Sequence, residues 1–204
     1  MTEYVLSIDP GLSTGIALLS FEPDEPAQLV QGWQFPGGLV GLLNWYRNNT
    51  YEYIEGAEVL RVAGLEFGSP YYGPWTDEVT VIAEKFTARN TRGFSYTTAS
   101  LEPLRGEGAL IALGVMPDYD VKEKRWRDPG LQYLVGGDGK AKKKQRQHKF
   151  LKDSGFYRTG KMLDSADADD FRSAASHGLA YIARELGHKP TFNMITEWTE
   201  RNPA

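Results

Sequence analysis

The sequence contains no cysteine, which excludes disulfides and any thiolate metal site and fits a reducing compartment such as the cytoplasm. It also lacks an uninterrupted apolar run of the roughly 18 residues that a membrane-spanning helix requires. The apolar stretch at the start follows no basic leader, so neither a secreted nor a membrane-spanning protein is expected. Internal repeats are missing, and so is any linker longer than a loop. With 204 residues, 41% hydrophobic and 25% charged, the chain suits one soluble domain with a sizeable core.

Excess positive charge is also absent overall, since the formal net charge is -4. Its distribution is uneven, however. Residues 122–161 hold 13 Lys and Arg against four Asp and Glu, a charge of +9 that leaves -13 on the remainder. A basic strip on an acidic body is what contact with a phosphate backbone requires. A solvated lysine-rich loop is the plain alternative.

Hydrophobic patterning sets out an α/β chain. Residues 4–8 form an apolar run ended by Asp9-Pro10-Gly11, a buried strand followed by a turn. Residues 14–20 read as its hairpin partner, and 28–35 as a third strand. Apolar residues at helical spacing mark 39–48. The β-branched run 79–83 suits a central strand. A polar loop with Arg89 and Arg92 follows, then a helix over 97–113 and a short strand over 118–122. A basic helix is expected over 143–153, stopped by Gly155. Residues 167–186 read as a strong helix, acidic at its start and closed by Gly187. Segment 50–78 is the least legible. The expected organisation is a domain over 1–187 and a frayed C-terminal tail over 188–204.

Carboxylates cluster at element ends, where an α/β sheet tends to hold its site. Asp9 ends the first strand and Glu84 ends the 79–83 strand. Asp164, Asp167, Asp169 and Asp170 crowd the start of the last helix. Magnesium takes oxygen ligands, typically a few carboxylates with water and substrate phosphate. Two such ions about 4 Å apart can stabilise both the attacking and the leaving oxygen of a displacement at phosphorus. Asp167 and Asp170, spaced i, i+3, can share one helix face. Each acid also has an ordinary explanation, as a turn residue for Asp9 and as first-turn dipole partners for the aspartates. His177 reads as a helix-face residue rather than a ligand.

Together and in this order, these segments resemble the RuvC-type Holliday-junction resolvases of the RNase H-like superfamily. The resemblance runs through Ser7-Ile8-Asp9-Pro10-Gly11-Leu12-Ser13-Thr14-Gly15, Ile82-Ala83-Glu84 and Ala88-Arg89-Asn90. It continues through Leu104-Arg105-Gly106-Glu107-Gly108-Ala109, Lys143-Lys144-Gln145-Arg146-Gln147-His148 and Asp167-Ala168-Asp169-Asp170. It implies an RNase H-like fold, a central mixed β-sheet flanked by helices. It further implies a crossover-junction endodeoxyribonuclease cutting branched DNA with two Mg2+ ions, Mn2+ being able to substitute. Asp9, Glu84, Asp167 and Asp170 would bind the metal, and Lys143 would stand near the scissile phosphate. Phe86, Arg89, Arg92, Lys142, Lys144 and Arg146 would contact DNA.

The closing motif stays open, because Asp164-Ser165-Ala166-Asp167 repeats the Asp-x-x-Asp spacing and Asp169 is a third option. A homodimer would match the two-fold symmetry of the junction, with the 97–113 helix supplying part of its interface. The setting would be the cytoplasm of a bacterial cell or a phage-infected host. Alternatives are a related nuclease for other branched DNA, flaps or RNA–DNA hybrids, and a non-catalytic DNA-structure-binding protein.

Overall fold

The first three strands, β1 (Glu3–Asp9), β2 (Ser13–Glu22) and β3 (Glu25–Pro36), form an antiparallel meander joined by short turns at Pro10-Gly11 and Pro23-Asp24. The chain continues through α1 (Gly38–Asn49), β4 (Thr50–Glu52), β5 (Glu58–Val62), β6 (Leu65–Gly68), β7 (Val79–Ala83), α2 (Thr98–Ala112) and β8 (Tyr119–Asp120). Then come α3 (Gly130–Val135), α4 (Gly139–Asp153), α5 (Asp169–Ala180), a π-turn over Tyr181–Glu185 and α6 (Lys189–Arg201). The computed structural model describes residues 1–52, 58–62, 65–68, 79–84, 98–112, 119–120, 130–157 and 169–203.

The main sheet is mixed, in the order β3-β2-β1-β7-β8, with β7 parallel to β1 and the two-residue β8 parallel to β7 at the edge. β4, β5 and β6 make a separate antiparallel sheet within the segment that sequence patterning left illegible. Helices flank the main sheet, as expected of an α/β chain. Val5, Ala17, Leu19 and Ile82 face α3, α4, α5 and α6. Leu6, Ile8, Ile16, Leu18, Val81 and Ala83 face Leu42, Trp45 and Tyr46 of α1 and Leu110 of α2. Successive residues therefore enter opposite cores, which is why β1 reads as a continuous apolar run rather than an alternating one.

α5 lies unusually close to the sheet. A Cβ on Gly15 would come within 2.1 Å of the Asp170 backbone, and one on Gly178 within 2.5 Å of Leu19. Gly15 admits the α5 backbone, and Gly178 makes room for the Leu19 side chain. Phe171, at the start of α5, is fully buried, and its amide donates to Gln34 Oε1 at 2.9 Å. This anchors the first turn of α5, whose leading N–H groups have no partner within the helix.

The chain beyond Gly187 departs from expectation. It is not frayed, because α6 buries Thr191, Ile195 and Trp198. The Ala27 amide donates to Thr191 Oγ1 at 2.9 Å, and the His188 ring lies 2.8 Å from both Thr191 Oγ1 and the Glu22 carbonyl. Trp198 packs edge-on against Phe150 and donates to Asp153 at 2.9 Å. Burying the two large side chains stabilises the arrangement by several kcal/mol, at about 1.5–3 kcal/mol for each. Three smaller differences also appear. The basic helix begins at Gly139 rather than residue 143, α3 was not anticipated, and the last long helix ends in a π-turn. Among the described residues, no helix is long and apolar enough to cross a membrane.

Candidate metal centre

Strand alternation brings the first two acids together. Asp9 continues the face of Val5 and Ser7, and Glu84 continues that of Ile82, so both point toward α5. The Glu84 amide donates to the Ile8 carbonyl at 2.9 Å, extending the parallel ladder and setting Glu84 beside Asp9 at the ends of β1 and β7. From α5, buried His177 brings Nε2 to 3.2 Å from Glu84 Oε2. One donor atom from each of Asp9, Glu84 and His177 lies within 4.8 Å of the others.

Asp170 sits two helical turns before His177 on α5, with its backbone against Gly15, the residue paired with Asp9 in β2. Burial raises its pKa, as do the negative charges of Asp169 and Glu84, while a hydrogen bond from Ser13 and the nearby Lys144 pull it down. Its neighbour Asp169 is shifted the other way. Hydrogen bonds from Arg172 and Lys144 lower the Asp169 pKa against a smaller opposing effect of burial. The two adjacent carboxylates therefore differ in character. Asp169 is committed to cations of the protein, whereas Asp170 is crowded by like charge and would gain from an added one.

This arrangement separates the sequence candidates. Asp9, Glu84 and Asp170 gather at one end of the sheet. His177, taken from sequence as a helix-face residue, joins them instead, and its buried place opposite Glu84 depends on the α5–sheet packing. Its seven-residue spacing from Asp170 placed both on one helix face and was the available signal. Asp167, together with Phe86, Arg89, Arg92 and the alternative Asp164, lies outside the described residues.

The basic helix α4 also sorts its side chains. Lys144 reaches Asp169 at 3.2 Å, which places it at the acidic start of α5. Lys143, expected near the reacting phosphate, turns toward Tyr133 of α3, with Nζ 6.0 Å from the ring centroid. One helical step rotates adjacent side chains by about 100°, and these two lysines point to different neighbours. Lys142 is exposed. Arg146, expected to contact DNA, is instead half-buried. It donates to the carbonyls of Val135 at 2.8 Å and Asn202 at 2.6 Å, and its guanidinium stands over Trp198. Its donors tie α3 and the end of α6 to α4. Gln147, also on α4, donates to Ser176 and holds the basic helix against α5.

Compared with known proteins, the chain matches no family model, no curated protein and no solved structure.

Proposed function

We propose that this protein is a divalent-metal-dependent endonuclease of RNase H-like fold that cuts branched DNA, four-way junctions above all, in the manner of the RuvC-type resolvases. The observation that carries this reading is the meeting of Asp9, Glu84 and His177 within 4.8 Å, from elements far apart in sequence. Asp170 adds a carboxylate whose pKa is raised by burial first and then by the negative charges of Asp169 and Glu84. A His177–Glu84 pair alone would be ordinary packing. The two further acids around it give a donor set that fits a hard or borderline cation.

Carboxylates suit magnesium and manganese, and the imidazole favours the softer of the two. Asp9, Glu84, Asp170 and His177 are the residues that would hold the pair of cations. Bound there, the cations supply Lewis-acid stabilisation at phosphorus and acidify water. Burial of His177 fixes its ring, and Gln34 and Gly15 fix the start of α5, so the donors keep their spacing without reorganisation. Lys144, at the acidic edge of the cluster, offsets negative charge as it develops on the phosphate. The exposed lysines of α4 would engage the DNA backbone. A homodimer, with exposed Leu104 and Ile111 of α2 in its interface, would match the symmetry of a junction.

The test is incubation of the purified protein with a synthetic four-way junction, a flap and a linear duplex, with Mg2+, with Mn2+ or with EDTA. Metal-dependent nicking of the junction is expected. Asp9→Asn and Glu84→Gln abolish nicking while leaving junction affinity within about threefold, and Lys144→Ala slows cleavage more than binding. Cleavage that survives Asp9→Asn or Glu84→Gln refutes the assignment.

A further inference from the structure

One side of α4 carries a groove of about 460 Å3, lined by Lys140, Ala141, Lys144, Gln145 and His148. These positions fall at i, i+1, i+4, i+5 and i+8, so they form a single stripe about two turns long. Toward its C-terminal end the stripe meets the start of α5. Lys144 Nζ lies 3.2 Å from Asp169 Oδ2, and His148 Nε2 lies 3.8 Å from Asp169 Oδ1. Asp170, the next residue of α5, belongs to the candidate metal centre. The groove therefore starts beside that centre and leads away from it toward the first turn of α4.

The groove holds polar groups that the fold does not use. Lys140 and Gln145 are both exposed, and neither has a hydrogen bond or ion pair among the described residues. Asp169 is the one carboxylate paired with the stripe, and it is already taken by the buried guanidinium of Arg172. Lys144 shares it through one of three ammonium donors, with half of its side chain open to solvent. Burial first, and then the charge of Arg172, lower the pKa of His148. Its ring adds hydrogen-bonding capacity to the wall of the groove without adding charge at neutral pH. A merely solvated lysine face would be convex and would hold no half-buried ring. Cations spaced one helical turn apart, in a groove lined by no acid, suit an anion whose charges also lie in a row. A nucleic-acid strand has one on every phosphate.

We propose that this groove seats one strand of the substrate as it leaves the metal centre, with the reacting phosphate at Lys144 and the next phosphate held by Lys140 and Gln145. The inference rests on the nuclease reading for its ligand class. It adds the course of the strand, along one face of α4 toward the N-terminal end of that helix.

The experiment measures binding of the full chain to a fluorescein-labelled four-way junction in EDTA, by fluorescence anisotropy at several salt concentrations. Lys140→Gln is expected to lower the slope of log affinity against log salt by about one, and to weaken binding about fivefold at about 0.1 M salt. Lys140→Arg keeps both, and Lys189→Gln, at an exposed lysine of α6, changes neither. Lys140 is exposed, so thermal melts of its variants should match wild type. A second series replaces single phosphates around the branch point by neutral methylphosphonates. At one position the neutral group should weaken wild-type binding about fivefold and cost Lys140→Gln nothing further. With Mg2+ restored, wild type should cut immediately beside that position. An unchanged salt slope in Lys140→Gln, or an equal fall in Lys189→Gln, overturns the proposal. So does a methylphosphonate scan that is the same in Lys140→Gln and wild type, or a cut remote from the sensitive position. Nicking by a protein whose Lys140→Gln slope is unchanged refutes the groove and spares the nuclease reading. A Lys140-dependent slope in a protein that never nicks supports the groove as a DNA seat and refutes the nuclease, and wild type that binds no junction ends both.

Discussion

The cation binding proposed at Asp9, Glu84 and His177 would have a measurable consequence for stability. A ligand that binds only the folded state stabilises it by RT ln(1 + [L]/Kd), about 2.7 kcal/mol at about 100 times Kd. For a chain of 204 residues the unfolding entropy is about 0.4 kcal/mol/K near 60 °C. Manganese at that level should therefore raise Tm by about 6 °C. Glu84→Gln replaces an anionic donor by a neutral amide beside His177 and Asp9. If affinity drops about a hundredfold, the same manganese gives about 0.4 kcal/mol and a shift of about 1 °C. In EDTA, relief of repulsion from Asp170 offsets the lost tie to His177, so the metal-free Tm stays within about 3 °C of wild type. Differential scanning fluorimetry of both proteins in EDTA and across a manganese titration reads all of these quantities. A wild-type Tm unmoved by manganese and magnesium, or an equal shift in Glu84→Gln, refutes the metal centre.

Other expectations follow from neighbouring contacts. Asp170→Asn removes a carboxylate held under unfavourable burial and repulsion from Asp169 and Glu84, so it should raise the metal-free Tm and shrink the manganese increment in the same melts. Gly15→Ala puts a Cβ 2.1 Å from the Asp170 backbone and should cost about 3 kcal/mol, read as a lower urea midpoint together with loss of the manganese shift. Asp153 is held below the ordinary carboxylate pKa by hydrogen bonds from Lys149 and then Trp198. A depressed folded-state pKa contributes stability above the unfolded value, and that stability is lost as pH falls through the folded one. Asp153→Asn should thus lower Tm most at neutral pH and flatten its decline below about pH 4, the two proteins converging in acid. Arg146→Gln should destabilise the fold by about 2 kcal/mol through its lost carbonyl bonds, with the salt dependence of DNA binding unchanged. A reduced salt slope at full stability would return Arg146 to the DNA-contact set.

Much of the sheet was legible because burial on both faces leaves a strong local signal. The runs through Val5–Ile8 and Val79–Ala83 are apolar and β-branched, and each stops at an acid. The end of the chain carried less signal. Thr191, Ile195 and Trp198 do lie on one face of a helix, but the partners that cover them, Ala27, Phe21 and Phe150, are distant in sequence. α3 is only six residues long, too short to show a helical period. Segment 50–78, rich in Gly, Pro and Tyr, mixes turn and strand signals that patterning could not order.

The candidate site divides in the same way. Which residue types end the strands and open α5 follows from sequence alone: Asp9, Glu84 and the Asp169-Asp170 pair sit where local rules put strand ends and helix starts. Which of them face one another was decided only in three dimensions. The parallel register of β1 and β7 set Glu84 beside Asp9, and the close approach of α5 at Gly15 and Gly178 brought in His177 and Asp170. The same packing committed Asp169 to Arg172, turned Lys144 rather than Lys143 toward the acids, and spent Arg146 on backbone carbonyls. Local chemistry fixes what a side chain can do. Its partner is fixed by the rotation and depth at which one element rests on another, and those arise from contacts spread along the whole chain.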